Sequence, residues 1–488
     1  MKKKLKLFAA LLALLLLSSA LLTGCAETTS KAERSSAVIP GAAEIDLGAL
    51  SDASYTIAKA GAYVLSGAYN GQLIVDADDK AKITLYLNGA EITNASGPAL
   101  YILSADQVTV YSVKDSVNIL ADGVNYLRDE EGADGAIYAK DDLILSGEGT
   151  LTVSGNTAHG IVTKDDLTVS GGTLIVTAVS DGLRGKDSLT VTGGALTVTA
   201  GSDGLCATGT DENQGVVSIS GGQLTISAQT DGIQAAGSLT ISGGEFTIQT
   251  GEGSANITLA SDAMGGGRGG FGGWDRQTVT ASDDAASQKG LKAGTTLTIS
   301  GGLFTLDTVD DALHAGGDIR ISGGEMNIST GDDALHSDTN VFFEGGTLTA
   351  AKCYEGLEGM TVTVSGGTID IVSSDDGINA AGGADSSGYA GFGRGMDMFA
   401  ATEGCYVTIE GGVITIVSDG DSIDSNGDLT ISGGELNLTC NGNGNTAIDV
   451  NGTYNHTGGA VTTNDGSENG ETFPGGGRNN FGGGKKRW

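Results

Sequence analysis

Short segments of alternating apolar and polar residues recur along most of the chain, and many pairs of segments are separated by two glycines. The unit is clearest at Leu167-Thr-Val-Ser-Gly-Gly-Thr-Leu-Ile-Val, which leads into the acidic turn Asp181-Gly182. Alternation with a period of two is typical of β-strands, whereas helices repeat every 3.6 residues. No segment beyond the first 24 residues has a convincing helical stripe. The pattern therefore predicts an all-β protein.

The glycine pair returns every 21 or 22 residues where the repeat is unbroken, which indicates stacked structural units. Its first glycine is Gly171, Gly193, Gly221, Gly243, Gly301, Gly323, Gly345, Gly366, Gly411, Gly433 or Gly458. Leucine-rich repeats have a similar length, but two strand patterns per unit exclude them. Three short strands fill such a unit, and each would pair in parallel with its counterpart about 4.8 Å away. Crossovers between parallel strands are almost always right-handed. The sequence therefore predicts a right-handed parallel β-helix, a solenoid with rungs of about 22 residues.

Two features of each unit predict how the coil is built. The residue two positions after each acidic turn residue is apolar, as at Leu183, Leu205 and Leu313, and should stack in the core. The glycine pair should form a corner with positive φ, a conformation that glycine adopts without steric cost.

Composition shifts divide the chain into regions. We predict a signal peptide at 1–24, a tether at 25–45, less regular rungs at 46–135, the main coil at 136–465 with insertions near 254–288 and 381–403, and a glycine-rich tail at 466–488. The candidate strands of the early rungs begin at Gln72, Ile83, Leu100 and Val108.

The N-terminus indicates export. Four lysines within the first six residues precede an apolar run that ends at Leu22-Thr-Gly-Cys25, which is the pattern of a secretory signal. The last four residues resemble the lipobox of bacterial lipoproteins. That resemblance implies cleavage before Cys25, acylation of its sulfur and attachment to the extracellular face of the cell membrane. The alternative is an ordinary secreted protein with a chance cysteine.

Charge limits the partners. Loss of residues 1–24 would leave 22 basic against 60 acidic residues, a net charge of −38. Such a chain repels nucleic acid and attracts cations. The other cysteines, Cys206, Cys353, Cys405 and Cys440, lack disulfide or metal spacing, and we interpret them as mostly buried small residues.

Acidic residues occupy one position of the repeat. They are Asp181, Asp203, Asp231, Asp311, Asp333, Glu355, Asp376 and Asp421, and from residue 310 several are doubled. In stacked rungs, like charges about 4.8 Å apart repel by roughly 3.5 kcal/mol at an effective dielectric of 20. Clustered carboxylates suit Ca²⁺, and the lack of soft ligands argues against zinc or copper. The alternative is that Asp-Gly is favourable turn chemistry, which competes most strongly for the single aspartates.

His314 and His336 occupy matching places in consecutive units. They would suit stacking, metal binding or proton transfer, and a structural role is the preferred interpretation.

A longer set of motifs carries a family resemblance. In order, they are Lys289-Gly-Leu-Lys-Ala, Asp310-Asp-Ala-Leu-His314, Asp332-Asp-Ala-Leu-His336, Tyr354-Glu-Gly-Leu-Glu358 and Ser374-Asp-Asp-Gly-Ile-Asn379. The chain resembles a bacterial family of carbohydrate-binding β-helix proteins whose studied member binds cellulose and polygalacturonate. The resemblance implies a calcium site similar to that of family 9 polysaccharide lyases. Its implied ligands are Asp310, Asp311, Asp332 and Asp333, with Glu355, Glu358, Asp375 and Asp376.

Three functions remain open from the sequence. The preferred one is a non-catalytic, calcium-dependent lipoprotein that binds polygalacturonate, pectin or cellulose. The second is a calcium-dependent polysaccharide lyase, with Lys289, Lys292 or Arg320 as the base. The alternative role for the lysines is to neutralise neighbouring acids. Either Lys289 or Gly253 could occupy the position of the acid row between Asp231 and Asp311, because the insertion near 254–288 leaves the repeat register ambiguous. The third is a structural spacer or adhesin.

Overall fold

The computed structural model describes residues 31–124, 126, 128–259, 287–381 and 401–469. The predicted signal peptide, Cys25, most of both insertions and the tail from residue 470 lie outside these ranges. Within them, no helix is long or apolar enough to cross a membrane. The described chain is all-β, as predicted, apart from two short 3₁₀ turns at Leu47–Ala49 and Ser467–Asn469.

The strands form three parallel ladders, and successive coils contribute a strand to each. The first, which we call the short-strand ladder, contains Ser54–Ile57, Gln72–Asp76, Leu100–Ser104, Gly135–Ala139, His159–Thr163, Leu183–Gly185, Leu205–Ala207, Ile233–Ala235, Leu291–Ala293, Leu313–Ala315, Leu335–Ser337, Leu357–Gly359, Ile378–Ala380, Ile423–Ser425 and Ile448–Val450. Each of these strands pairs in parallel with the next along the chain. This arrangement is β-helix-like.

The other two ladders lie before and after the glycine corner. The pre-glycine ladder contains Ala43–Asp46, Gln107–Ser112, Asp142–Gly147, Asp166–Val169, Ser188–Val191, Val216–Ile219, Leu239–Ile241, Asn340–Phe343, Thr361–Val364, Tyr406–Ile409, Asp428–Ile431 and Tyr454–His456. The post-glycine ladder contains Val117–Asp122, Thr150–Gly155, Thr173–Ala178, Ala195–Ala200, Gln223–Ala228, Glu245–Thr250, Thr347–Cys353, Thr368–Ser373, Val413–Ser418, Glu435–Cys440 and Ala460–Thr463. Four longer strands, Gly61–Asn70, Lys82–Asn94, Leu297–Thr308 and Ile319–Thr330, run through both.

Like residues stack on like residues inside the coil. Leu183 pairs with Leu205, which pairs with Ile233, and all three are fully buried. Phe246 and Phe304 stack face to face in adjacent rungs, with ring centroids 4.6 Å apart. The predicted core is therefore confirmed. The four cysteines that the structure describes are free and buried, as the sequence suggested.

The short-strand ladder continues across the predicted boundary at residue 136, and the rungs before it vary in length, since the paired residues Leu73, Leu100 and Ile137 are 27 and 37 positions apart. The strand Gly135–Ala139 pairs with Leu100–Ser104 on one side and with His159–Thr163 on the other, so the ladder runs through without a break. Early rungs looked irregular because their corners use other positive-φ residues, such as Gly89 and Asp115, in place of the glycine pair. The predicted tether also overlaps the coil, since Ala43–Asp46 pairs in parallel with the strand Gly61–Asn70.

The second glycine of each pair has positive φ, as predicted, and Gly194 tests its importance. Its φ is +99°, and a Cβ there would also lie 3.0 Å from the Gly172 carbonyl oxygen. We expect Gly194→Ala to destabilise the protein by about 1–3 kcal/mol, measured by thermal unfolding. Gly193 has no positive φ, and a Cβ added there would lie 3.3 Å from its nearest atom, the Ser170 carbonyl oxygen. Gly193→Ala is therefore the matched control. An equal loss of stability in both variants would contradict the conclusion that the positive φ of the second glycine is what requires glycine.

Candidate functional site

The row of acids lies in the turn that joins each post-glycine strand to the following short strand. Most acids in the row connect their own rung to the next, because one carboxylate oxygen accepts the backbone N–H of the next residue in the row. The Asp333 N–H donates to Asp311 Oδ1 at 3.2 Å, and the Glu355 N–H donates to Asp333 Oδ1 at 2.9 Å. The same bond joins Asp203 to Asp181 and Asp231 to Asp203. This structural role was missed by the sequence analysis, which weighed only turn chemistry and metal binding.

Lys289 occupies the acid position in one rung. Leu291 pairs with Ile233 and with Leu313, which places Lys289 between Asp231 and Asp311 in the row. Gly253 does not take that place. The Lys289 backbone N–H donates to Asp231 Oδ1 at 2.9 Å, so the row continues through the lysine without a carboxylate.

The Lys289 ammonium is a built-in counter-ion for the first doubled pair. Its Nζ is 2.7 Å from Asp311 Oδ2 and 2.8 Å from Asp310 Oδ1, and the side chain is only 6% exposed. Burial lowers the pKa of Lys289, but the two carboxylates outweigh burial and raise that pKa above its ordinary value. For Asp311, burial alone would raise the pKa of the carboxyl group. The Lys289 charge and the hydrogen bond from His314 outweigh burial and hold that pKa well below its usual value. Lys289 and Asp311 therefore form a charged, buried ion pair.

His336 is the counter-ion of the acids in the following rung. Its Nδ1 is 3.2 Å from Asp333 Oδ2 and 2.8 Å from Glu358 Oε2, and its side chain is 2% exposed. Burial lowers the pKa of His336, but its hydrogen bonds with Asp333 and Glu358 raise it to about 12. His314 bonds through Nδ1 to Asp311 Oδ2 at 3.0 Å, and the two imidazole centroids lie 5.1 Å apart.

Further along the row, the acids have no basic partner among the residues that the structure describes. Burial raises the pKa of Glu355 and Asp376, and neighbouring carboxylates raise both further. Asp421 reaches a pKa of about 7 and Asp424 about 8, again through burial and then through neighbouring carboxylates. Glu355 is held by Asn379, whose Nδ2 lies 3.0 and 2.9 Å from its two oxygens. We call Glu355, Asp376, Asp421 and Asp424 the uncompensated acids.

The eight predicted calcium ligands thus fall into separate groups. Oxygens of Asp310, Asp311 and Asp332 lie within 4.8 Å of one another, while Asp333 and Glu358 converge on His336. Glu355 and Asp376 belong with the uncompensated acids, and Asp375 adds to the negative charge that Asp376 experiences. Sequence reasoning did not identify Asn379 as a partner of Glu355, and for Lys289 it left neutralisation of neighbouring acids as the alternative to a catalytic base. It had placed Asp421 in the row without assigning it as a ligand.

The three candidate bases are not gathered at one place. Lys292 Nζ is 3.1 Å from Asp231 Oδ2 and 3.0 Å from Ser287 Oγ, one rung before the doubled acids. Arg320 lies on the pre-glycine ladder, where it ion-pairs with Glu344 and covers the Phe342 ring at 4.2 Å. The alternation of the strand Ile319–Thr330 directs Arg320 to that outer face, away from the acid row.

A divalent cation is compatible with the uncompensated acids. Their donors are all carboxylate oxygens, the type that Ca²⁺ prefers, and their raised pKa values reflect burial and mutual repulsion that a bound cation relieves. The Asp310 and Asp311 pair is a poorer place for such an ion, because Lys289 already engages an oxygen of each.

Comparison with known proteins assigns more than half of the chain to a family of carbohydrate-binding domain-containing proteins. A family model described as carbohydrate-binding domain-containing protein matches residues 51–334, more than half of the chain, and the chain belongs to that family.

Two relatives extend the comparison. A carbohydrate-binding domain-containing protein from Acetivibrio thermocellus is 35% identical over 133 residues, which are 26% of this chain and 46% of the relative. The match therefore spans about half the length of that curated relative. A solved structure described as a polysaccharide lyase-like protein from C. thermocellum, in a gadolinium derivative, aligns with a TM-score of 0.41 and 31% identity, covering 46% of this chain and 92% of that one.

Proposed function

We propose that this protein is a non-catalytic, calcium-dependent polysaccharide-binding protein. In this proposal the three ladders wind as a right-handed parallel β-helix, and an acylated Cys25 holds it at the extracellular face of the cell membrane. Family membership supports carbohydrate as the partner. The lipobox-like Leu22-Thr-Gly-Cys25 supports the anchor.

The uncompensated acids are the observation that carries calcium dependence. Four carboxylates in neighbouring rungs share a partly buried edge without a lysine, arginine or histidine ion partner among the described residues. Glu355, Asp376, Asp421 and Asp424 would hold the ion, with Asp310, Asp311, Asp332, Asp333, Glu358 and Asp375 nearby in the row. Bound calcium would supply positive charge for the carboxylate of a uronate residue.

An acidic glycan such as polygalacturonate is the preferred ligand. The strongly negative chain would repel it, so a bridging cation would make binding both possible and selective. Cellulose is the second candidate, because it is bound by stacking on aromatic rings. Tyr86 and Tyr111 in adjacent rungs offer such rings, with centroids 5.3 Å apart. Their planes are tilted by 57°, which is far from the flat platform that a sugar ring needs.

The geometry favours binding over lyase chemistry. A lyase base must accept a proton near the pH at which it works. Lys289 is buried against two carboxylates that raise its pKa, so it remains a protonated ammonium. The spacer or adhesin hypothesis lacks a specific supporting observation.

A sedimentation assay tests the proposal. The protein should sediment with calcium-crosslinked polygalacturonate. A chelator would dissolve that gel, so the second arm uses polygalacturonate immobilised covalently, and the protein should not bind it once the chelator has removed divalent ions. Insoluble cellulose should retain much less protein in either condition. Binding to immobilised polygalacturonate that is indifferent to the chelator would refute calcium dependence, and release of unsaturated uronate products would refute the non-catalytic assignment.

A further inference from the structure

Two histidines in consecutive rungs have the same carboxylate-bound arrangement. His314 and His336 pair in register in the short-strand ladder, and both bond through Nδ1 to the acid three residues earlier. The distances are 3.0 Å to Asp311 Oδ2 and 3.2 Å to Asp333 Oδ2. The second ring has a further Nδ1 contact with Glu358 at 2.8 Å.

This arrangement is the usual environment of a metal-binding histidine. Such a residue almost always donates the N–H of one ring nitrogen to a carboxylate, which fixes the tautomer and leaves the other nitrogen for the metal. Because Nδ1 is used in both residues, the available nitrogen of both His314 and His336 is Nε2. Two imidazole nitrogens that share a tetrahedral Zn²⁺ lie about 3.3 Å apart, which neighbouring rings with centroids 5.1 Å apart can reach.

Two buried polar atoms at this place have no hydrogen-bond partner among the described residues. They are His336 Nε2 and Asp338 Oδ1, which lie 3.7 Å from each other. Buried polar atoms are rarely left unsatisfied, and an ion is one of the explanations for those that are. His336 is almost completely buried, whereas the Asp338 side chain is 38% exposed, so the pair is accessible from solvent on the aspartate side.

The preceding rungs leave space beside Asp338. The equivalent positions there are Gly294 and Gly316, and a Cβ on Gly316 would lie 3.8 Å from Asp338 Oδ2. A side chain at Gly316 would contact the aspartate, so the glycine keeps the approach to Asp338 open.

The geometry points to a second, transition-metal site in this protein, in which His314 Nε2, His336 Nε2 and the Asp338 carboxylate hold a zinc-type divalent ion. Asp311, Asp333 and Glu358 then act as positioning residues that orient the imidazoles. Binding releases the proton from His336 Nε2 to solvent, because a metal-bound imidazole is neutral. Two nitrogen ligands select such an ion over Ca²⁺, which takes oxygen ligands. The site is distinct from the uncompensated acids and does not depend on glycan binding.

Zinc binding to the full-length protein, measured by calorimetry after metal removal, tests the site. The titration is done in about 1 mM Ca²⁺ to fill weak oxygen sites. One Zn²⁺ should bind per chain. His314→Gln, His336→Gln and Asp338→Asn should each weaken binding by at least about tenfold, the lower end of the cost of replacing even a residue that only orients a metal ligand. Of the three substitutions, Asp338→Asn should disturb folding least, because the Asp338 side chain is partly exposed.

His159 provides a matched control. Its Nδ1 also lies 3.1 Å from a ladder aspartate oxygen, Asp181 Oδ2, although it accepts the Asp181 backbone N–H as well, and its Nε2 faces Arg184 at 3.4 Å and Asp134 at 3.6 Å. His159→Gln should leave zinc affinity unchanged. Co²⁺ bound in place of zinc should show the visible absorption of a nitrogen-ligated ion, which each site variant should lose while circular dichroism stays unchanged. No zinc binding, displacement of zinc by millimolar Ca²⁺, or full affinity in Asp338→Asn or His314→Gln would overturn the site.

Discussion

Replacing Lys289 with methionine should destabilise the folded protein by about 3–5 kcal/mol, the cost of removing one partner of a buried ion pair. The loss is large because Lys289 is 6% exposed and its ammonium is the close cation of both Asp310 and Asp311. Methionine keeps most of the side-chain volume, so the loss reports charge and not packing. Because repeat proteins open locally, amide hydrogen exchange across residues 287–340 should show the effect together with thermal unfolding.

Two variants make this prediction specific. Lys292→Met is the matched control, because Lys292 is 27% exposed and pairs with only one carboxylate, Asp231. It should cost clearly less than Lys289→Met, because Asp231, although buried, keeps hydrogen bonds from Ser287 Oγ and from the Lys289 backbone N–H. The double variant Lys289→Met, Asp311→Asn should recover some of the lost stability, since it also removes one of the stranded charges. A Lys289→Met protein as stable as Lys292→Met would contradict the counter-ion assignment.

Without divalent ions, stability should fall as pH rises from about 4 to about 8. Carboxyl groups of the unfolded chain titrate near 4, but in the folded protein the pKa is about 6 for Asp203, about 7 for Asp421 and about 8 for Asp424. In that interval the folded state binds more protons than the unfolded state, so the free energy of unfolding decreases with pH. At about 1.4 kcal/mol per unit of pKa shift, the loss amounts to several kcal/mol.

Thermal unfolding at a series of pH values checks this, in chelator and in millimolar Ca²⁺. Asp424→Asn should raise stability at pH about 8 in chelator and reduce the slope, because it removes a carboxylate that neighbours force toward its neutral form. Calcium should flatten the curve of the wild-type protein. Asp428→Asn, at an exposed carboxylate on the pre-glycine ladder, is the control. Stability that rises with pH in chelator would contradict the predicted repulsion.

The all-β, parallel, β-helix-like arrangement was predictable from the sequence because its determinants are local and repeated. Apolar alternation indicated the strands, the glycine pairs indicated the corners, and register followed from stacking of residues such as Leu183 on Leu205. The rungs before residue 136 were harder to place, since Gly89 and Asp115 make their corners without the repeated motif.

The candidate site was less predictable because it depends on which side chains meet across rungs. Lys289 could not be placed while the insertion before it left two registers open, and only strand pairing shows that it faces Asp311. The backbone bond from Glu355 to Asp333 joins residues 22 positions apart, so no local motif encodes it. Arg320 seemed close to the doubled acids along the chain, but it belongs to another ladder.

The most direct test of calcium-bridged glycan binding is calorimetric titration of an oligogalacturonate into the protein at increasing free Ca²⁺, for the wild type and for a variant with Asp421→Asn and Asp424→Asn. The wild type should bind the oligosaccharide only when calcium is present, and the variant should need at least about tenfold more calcium, because it has lost two carboxylate ligands. Binding in chelator, or an identical calcium requirement in both proteins, would contradict the proposal.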